Sequence, residues 1–368
     1  MSFKINDIEQ KVTVPTLTVE LIGHFSIDGN LQYHDDLSQL KYVIRPSNLD
    51  NTNFDLTKNN GPVHHSAHLH IKLDNILKWI CDNHHRIDKP LSVEKDRWFD
   101  IDFICSRGVI KKILSSPYSY GDDWTIYASK YRGTIYLCHF YSDETEYHYA
   151  NKTKMDKLFE SRGFKFEQYM VADHPSSEPN LSIPLDENEK FYCMFKANFD
   201  NYSLLYGAEI DGIISEEPIT DTLVGKNFEL IELKTYRNSH LDIHDKVPDK
   251  IAVQWWSQIY IVQMNKIMCG FKNSFGRVTR VKEYTMDDLL QFSSNSYNVD
   301  KCKIACKMFL DNVKKIVTKN HNECSYKFKW RWSTKNIVSY SEEDPDDEKF
   351  LFVKPWFVEK MEKYKCSK

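Results

Sequence analysis

The chain has 368 residues, of which 41% are hydrophobic, 28% charged and 14% aromatic. That is a globular composition, long enough for one large domain or two ordinary ones, with ample apolar material for a core. The formal net charge of −4, from 49 Lys and Arg against 53 Asp and Glu, excludes a strongly basic nucleic-acid coat. No stretch reaches the ~18 apolar residues of a membrane span. The best candidate, Ile251–Phe271, is broken by Gln254, Gln258, Gln263, Asn265 and Lys266. The nine Cys are scattered without a C-x-x-C pair, and the opening MSFKINDIEQ is polar. Reduced thiols in an intracellular protein without a membrane partner are therefore expected.

In chain order, segment 1–60 is rich in Asn and Asp and reads as an N-terminal wrap, with strand-like pieces at Thr16–Leu21 and Leu40–Ile44. His64, His65, His68 and His70 form a tract without Cys partners or a fixed repeat, which favours surface histidines over a metal site. Ile71–Ile80 has a helical pattern. Asp100–Cys105 reads as a strand, followed by Arg107-Gly108 and a helical Val109–Ser115. Trp124–Ala128 and Gly133–Phe140 look like paired strands. Asn151–Glu160 is helical with Gly163 placed to close it, and Phe164–Val171 then alternates as a strand. Phe191–Phe199 and Tyr202–Ile214 flank Asp200-Asn201 as a hairpin. Phe228–Tyr236 is a strand and Pro248–Ile267 a helix. Ile267–Phe271 and Arg277–Tyr284 form a second hairpin around Asn273–Gly276, and Thr285 with Asp288 makes a capping box. Tyr297–Lys319 is a long helix in which Cys302, Cys306, Phe309, Val313 and Ile316 form one apolar stripe. Ser341–Glu348 is an acidic, solvated loop. With no repeat and no linker, residues 1–368 are expected to form a single α+β domain of mixed and antiparallel sheets flanked by helices.

Three segments concentrate carboxylates on expected strands. In Gly163-Phe164-Lys165-Phe166-Glu167 the period of two places Lys165 and Glu167 opposite the two phenylalanines. In Glu209-Ile210-Asp211 and Glu232-Leu233-Lys234 the ionisable pairs likewise share a face. Each motif alone is explained by one exposed sheet face. Acids embedded in apolar strands are otherwise costly unless paired or bound to a cation. Asp211, then 20 intervening residues, then Glu-x-Lys matches the order used by metal-dependent nucleases. Carboxylate oxygens are hard ligands for Mg²⁺ or Mn²⁺, and such an ion activates water and neutralises charge on a phosphate. A Lys two residues beyond a ligand points into the same site, where it can contact the phosphate or the water. Gln258, on the following helix beside Trp256, is either an orienting amide or a partly buried polar group in a tryptophan-rich face. Arg107 at a strand end suits either a phosphate contact or a structural salt bridge.

Taken together, Arg107-Gly108, Gly163-x-Lys165-x-Glu167, Gly207-x-Glu209-Ile210-Asp211, Glu232-Leu233-Lys234-Thr235 and Trp256-x-Gln258 resemble the DXO-type RNA decapping nucleases in order and spacing. That family includes fungal relatives that partner a nuclear 5′–3′ exoribonuclease. Ser115-x-Pro117-Tyr118, Gly133–Leu137, Gly270–Asn273 and Ile22-Gly23-x-Phe25-Ser26 are similar too, so the resemblance covers about residues 20–290. It implies sheets flanked by helices around a deep active-site pocket. It also implies one or two Mg²⁺ or Mn²⁺ ions held by Glu167, Asp211, Glu232 and the main-chain carbonyl of Leu233, with Glu209 closing the set partly through water. Glu209, Asp211, Glu232, Lys234 and Gln258 would be catalytic. Lys234 and Gln258 would contact the nucleophile or the scissile phosphate, and Arg107 the RNA backbone. The implied activities are at the RNA 5′ end: removal of incomplete or unmethylated caps, NAD caps or pyrophosphate, with stepwise 5′–3′ digestion in some members. A nuclear location and an exoribonuclease partner are further implications. The late hairpin departs from the family's Arg-Asp, having Lys272-Asn273. The competing readings are a protein that mainly stabilises an exoribonuclease, and a DNA nuclease using the same carboxylates, because a metal site does not distinguish sugars.

Overall fold

The computed structural model describes residues 1–5, 13–58, 63, 72–88, 97–119, 121–237, 247–291, 297–334 and 336–366. The histidine tract at 64–70 lies outside them. The strands are β1 (Ser2–Lys4), β2 (Leu17–Ile27), β3 (Tyr33–His34), β4 (Tyr42–Val43), β5 (Phe54–Asp55), β6 (Phe103–Ser106), β7 (Trp124–Tyr131), β8 (Thr134–Phe140), β9 (Val171–Ala172), β10 (Lys190–Phe199), β11 (Tyr202–Glu209), β12 (Gly212–Ile214), β13 (Glu229–Arg237), β14 (Lys266–Lys272), β15 (Arg277–Thr285), β16 (Ser325–Trp330) and β17 (Ile337–Glu343). The α-helices are α1 (Asp74–Asn83), α2 (Arg107–Ser115), α3 (Asp143–Ala150), α4 (Lys154–Met170), α5 (Asp249–Tyr260), α6 (Met286–Gln291), α7 (Val299–Ile316) and α8 (Pro355–Cys366).

Two mixed sheets result, as the α+β expectation requires. The larger has the order β1-β17-β16-β7-β8-β6-β11-β10-β2-β3 and the smaller β5-β15-β14-β13-β12-β4-β9. The period of two sorts side chains into layers. Phe191, Cys193, Phe195, Ala197 and Phe199 of β10 point into the main core, whereas Met194 points to the other face. The main core lies between the sheets and contains Val109 and Ile113 of α2, Trp256 of α5, Cys306 and Phe309 of α7, and Ile267 and Cys269 of β14. Behind the larger sheet, α1 and α8 bury Trp79, Ile80, Phe357 and Met361. Behind the smaller one, Phe166 and Met170 of α4 cover Ile231, Leu233 and Met268.

Local signals hold where chemistry is local. Phe199 pairs with Tyr202 around Asp200, whose φ of 56° suits the turn. Thr285 and Asp288 exchange both capping-box hydrogen bonds, at 2.8 and 3.1 Å. The apolar stripe of α7 is buried at Cys302, Cys306, Phe309 and Val313. Asn273 accepts from the Phe275 and Arg277 amides, both at 3.0 Å, so the amide supports the hairpin loop by itself.

Several boundaries differ from expectation. β2 runs to Ile27 and lies inside the larger sheet beside β10. The helix expected over 248–267 ends at Tyr260, because Lys266 already pairs with Ile231 in β14. The acidic run at 341–348 begins inside β17, where Glu342 pairs with Lys319 at 2.6 Å. The largest change is at Gly163–Glu167, which is helical: α4 does not stop at Gly163 but continues to Met170. Phe166 and Met170, four residues apart, bury the same helix face, and that tertiary contact outweighs the alternating pattern.

Candidate active site

The site forms where the chain changes sheets. β11 ends at Glu209 in the larger sheet and β12 begins at Gly212 in the smaller, so the strand expected over 202–214 is broken at Ile210-Asp211. β12 is short, and its pairing with β13 stops at Gly212 opposite Ile231. The β13 edge beyond that point is free to bond a side chain. Asp211 takes it, with Oδ2 accepting the Leu233 amide at 2.7 Å. On β13, Glu232 and Lys234 pair with Ile267 and Cys269, which face the main core. They therefore project between the sheets.

β6 runs parallel to β11 with Ser106 opposite Gly207, which delivers Arg107, the first residue of α2, to the same place. Arg107 Nη1 donates to Glu232 Oε2 at 3.1 Å. Lys234 Nζ and Gln258 Nε2 both donate to Glu232 Oε1. Glu232 is 1% exposed. Burial opposes its negative charge, but Lys234, Arg107 and the Lys234 hydrogen bond outweigh burial and hold its pKa down at about 2. Of the two readings of Arg107 the structure shows the ion pair, and Gln258 is a buried amide aimed at the central acid.

The remaining acids line a cavity of about 370 Å³ that includes Phe164, Glu167, Lys190, Glu209 and Asp211. Gly163 and Glu167 share a helix face one turn apart, and a Cβ at Gly163 would meet nothing within 4 Å, so the cavity wall next to Glu167 is open. Lys165, expected beside Glu167, is instead 3% exposed and donates to Gln168 at 2.7 Å. Burial raises the Glu167 pKa well above the usual carboxylate range, and Asp211 and Glu209 add repulsion. Burial and Glu232 likewise push Asp211 up to about 7. Among the described residues no three His, Cys, Asp or Glu side chains stand as a ready-made metal cluster. Glu232 is drawn onto Arg107, Lys234 and Gln258, and Glu209 onto Lys190. The donor chemistry nevertheless fits a hard divalent cation: carboxylate oxygens converge from α4, the β11–β12 crossing and β13, and Glu167 and Asp211 have no direct ion pair among the described residues.

Two residues escaped sequence reasoning. Lys111 Nζ donates to Gln258 Oε1 at 2.7 Å, which leaves the amide nitrogen to face Glu232. Burial lowers the Lys111 pKa to about 7, and Lys234 and Arg107 reinforce the shift. The available signal was its i+4 spacing from Arg107 on one helix. Lys190 donates to both Glu209 oxygens at 2.9 Å. Its signal was the hairpin register, which sets Tyr192 opposite Glu209.

The chain has known relatives. The sequence pattern of the family described as RAI1-like PD-(D/E)XK nuclease matches residues 18–358. The chain belongs to that family. Asp211 and Glu232-Leu233-Lys234 have the residue types and the order named in that description. The "Decapping and exoribonuclease protein" of Bos taurus is 26% identical over 346 residues, covering 92% of this chain and 84% of its own. The "Decapping nuclease RAI1" of Neurospora crassa is 23% identical, covering 80% and 72%. In fold, the chain is similar to Scheffersomyces stipitis Rai1, solved with (3′-NADP)⁺ and calcium ion, at TM-score 0.80, 16% identity and 99% and 100% coverage. Candida albicans Rai1, solved with pU5-Mn²⁺, gives TM-score 0.78, 18% identity and 99% coverage of each chain. The expectations of a nuclease of the decapping type and of its fold are met. No helix among the described residues is long and apolar enough to cross a membrane.

Proposed function

We propose that the chain is a Mg²⁺- or Mn²⁺-dependent hydrolase of RNA 5′ ends, removing incomplete, unmethylated or NAD caps or 5′ pyrophosphate, with 5′–3′ digestion at the same centre. The observation that carries this reading is the convergence of Glu167, Glu209, Asp211 and Glu232 with Lys234 at a sheet crossing, in a member of a nuclease family. The Rai1 structures with a dinucleotide and calcium, and with pU5 and manganese, support the substrate and ion classes.

Glu167, Glu209, Asp211, Glu232 and the Leu233 carbonyl would hold the ion. When bound, it supplies a lowered water pKa and neutralises phosphate charge. Lys234 stays an ammonium: burial opposes its charge, but Glu232 and Asp211 outweigh burial and raise its pKa. It is thus a fixed positive group for the scissile phosphate. Gln258, held by Lys111, orients its amide toward the reacting centre. Arg107 offers a planar guanidinium to the RNA backbone. Residues 1–368 act as one catalytic domain in this reading.

The test compares RNAs that differ only in the 5′ group, with Mg²⁺ or Mn²⁺, for wild type, Glu232→Ala and Asp211→Ala. Release of a cap dinucleotide, pyrophosphate or mononucleotides by wild type alone is expected. Equal activity in all three, or none in any, overturns the assignment. A single-stranded DNA of the same sequence decides the sugar. The family resemblance adds two proposals, a nuclear location and association with a 5′–3′ exoribonuclease. Imaging of the tagged chain and co-purification, respectively, check them.

A further inference from the structure

Arg162 of α4 is 7% exposed, yet its Nε has no hydrogen-bond partner. Among the described residues no carboxylate pairs with it. Its guanidinium lies over the Phe159 ring, 4.9 Å from the centroid. It also packs against the backbone of Gly276, where a Cβ would come within 2.9 Å of Cζ and Nε. A second cation stands next to it. Lys272, at the end of β14, donates to Thr235 Oγ1 at 2.9 Å, and no acid among the described residues pairs with it. Burial lowers its pKa, and Arg162 lowers it further. Two neighbouring cations, one buried and one half-buried, without a counter-ion among the described residues carry a desolvation and repulsion cost. The fold keeps them together at a hairpin it could have neutralised.

We propose that Arg162 and Lys272 form an anion subsite for a backbone phosphate of the RNA, beyond the scissile bond. This rests on the proposed function. A planar guanidinium beside a point-charge ammonium is a phosphate-binding pair. The flanking side chains fit single-stranded nucleic acid rather than an acidic peptide. Phe275, at the hairpin tip next to Gly276, is 82% exposed, and Phe159 is 50% exposed, so aromatic faces for base stacking adjoin the cations. The position also fits. Arg162 precedes Glu167 by five residues on one helix, a rise of about 7.5 Å. A chain that leaves the carboxylates along α4 passes the pair.

The test is binding of 3′-labelled, 5′-monophosphate RNAs of two and eight nucleotides to the full chain in EDTA, where no turnover occurs. Arg162→Gln and Lys272→Gln each weaken the eight-nucleotide RNA about tenfold, as loss of a charged phosphate contact does. Each also lowers the salt slope by about 0.7. The dinucleotide loses much less, and Arg162→Lys recovers part of the affinity. An equal loss for both lengths, or none for the longer, overturns the proposal. So does a fall in Tm of the RNA-free double variant, because the pair would then be serving the fold. A Tm rise of wild type in inorganic phosphate, without any effect of the substitutions on RNA affinity, would assign the site to a free ion and overturn it too. Failure of the activity test with intact length-dependent binding would remove the proposed function and leave the subsite standing.

Discussion

The two halves of the active site handle charge in opposite ways. Around Glu232 the protein supplies its own compensation: Arg107, Lys234 and Gln258 all donate to one carboxylate, which stays ionised. Across the Leu233–Asp211 hydrogen bond, only Glu209 has a direct lysine partner among the described residues, and Glu167 and Asp211 are driven toward protonation by burial and by neighbouring acids. The difference marks where the proposed divalent ion would act: around Glu232 the protein supplies its own cations, and the other half has a deficit that the ion would relieve. The chain's formal excess of −4 equals the charge of these four acids, so the near-neutral balance is compatible with a nucleic-acid substrate.

Breaking the Glu232 half has the largest expected effect. Glu232→Ala leaves Arg107 and Lys234 buried without their acid, which costs about 3–5 kcal/mol. Denaturant titration reads this loss, and turnover on capped RNA falls by at least about 10²-fold. The other half behaves in reverse. Asp211→Asn removes like-charge repulsion, so Tm in EDTA rises by about 2–4 °C, while the Tm gain on adding Mn²⁺ and the activity are lost. A fall in Tm in EDTA would refute the contrast.

Lys111→Met sharpens the comparison from within the Glu232 half. The methionine fills similar space but releases the Gln258 amide, and kcat is expected to fall about tenfold, one charged hydrogen bond's worth. The Lys111 pKa is lowered in the folded state to about 7, against an ordinary value near 10.5. Between these values the unfolded chain holds the proton and the folded chain does not, so Lys111 makes stability rise with pH across that window. In the variant this part of the rise between pH 7 and 10 disappears, as a pH series of denaturation midpoints checks. The smallest effect is at Gly163→Ala. Alanine in mid-helix stabilises by about 1 kcal/mol, while its methyl enters the open wall beside Glu167 and raises KM.

Much of this site was legible in the sequence because its motifs are short. Glu-x-Lys on a strand needs only the period of two, and the Asp200 hairpin and the Thr285 cap need only neighbours. The segment 163–167 was misread because Phe-Lys-Phe-Glu satisfies both periods: Phe164 and Phe166 alternate, while Gly163 with Glu167 and Phe166 with Met170 are spaced as a helix. Burial of Phe166 and Met170 on β13 and β14 selects the helix, and that contact is not local.

By itself, the sequence determined the α+β class, the hairpins, the apolar stripe of α7 and the set of acids with Lys234. Tertiary structure alone decided that β11 breaks at Ile210-Asp211 to change sheets and that Glu167 arrives from a helix. It also decided which cation pairs with which acid: Lys190 with Glu209, Arg107 and Lys234 with Glu232. The physical reason is range. Backbone preferences act over a few residues, whereas burial and charge compensation depend on groups far apart in the chain, as Arg107 and Glu232, 125 residues apart, are.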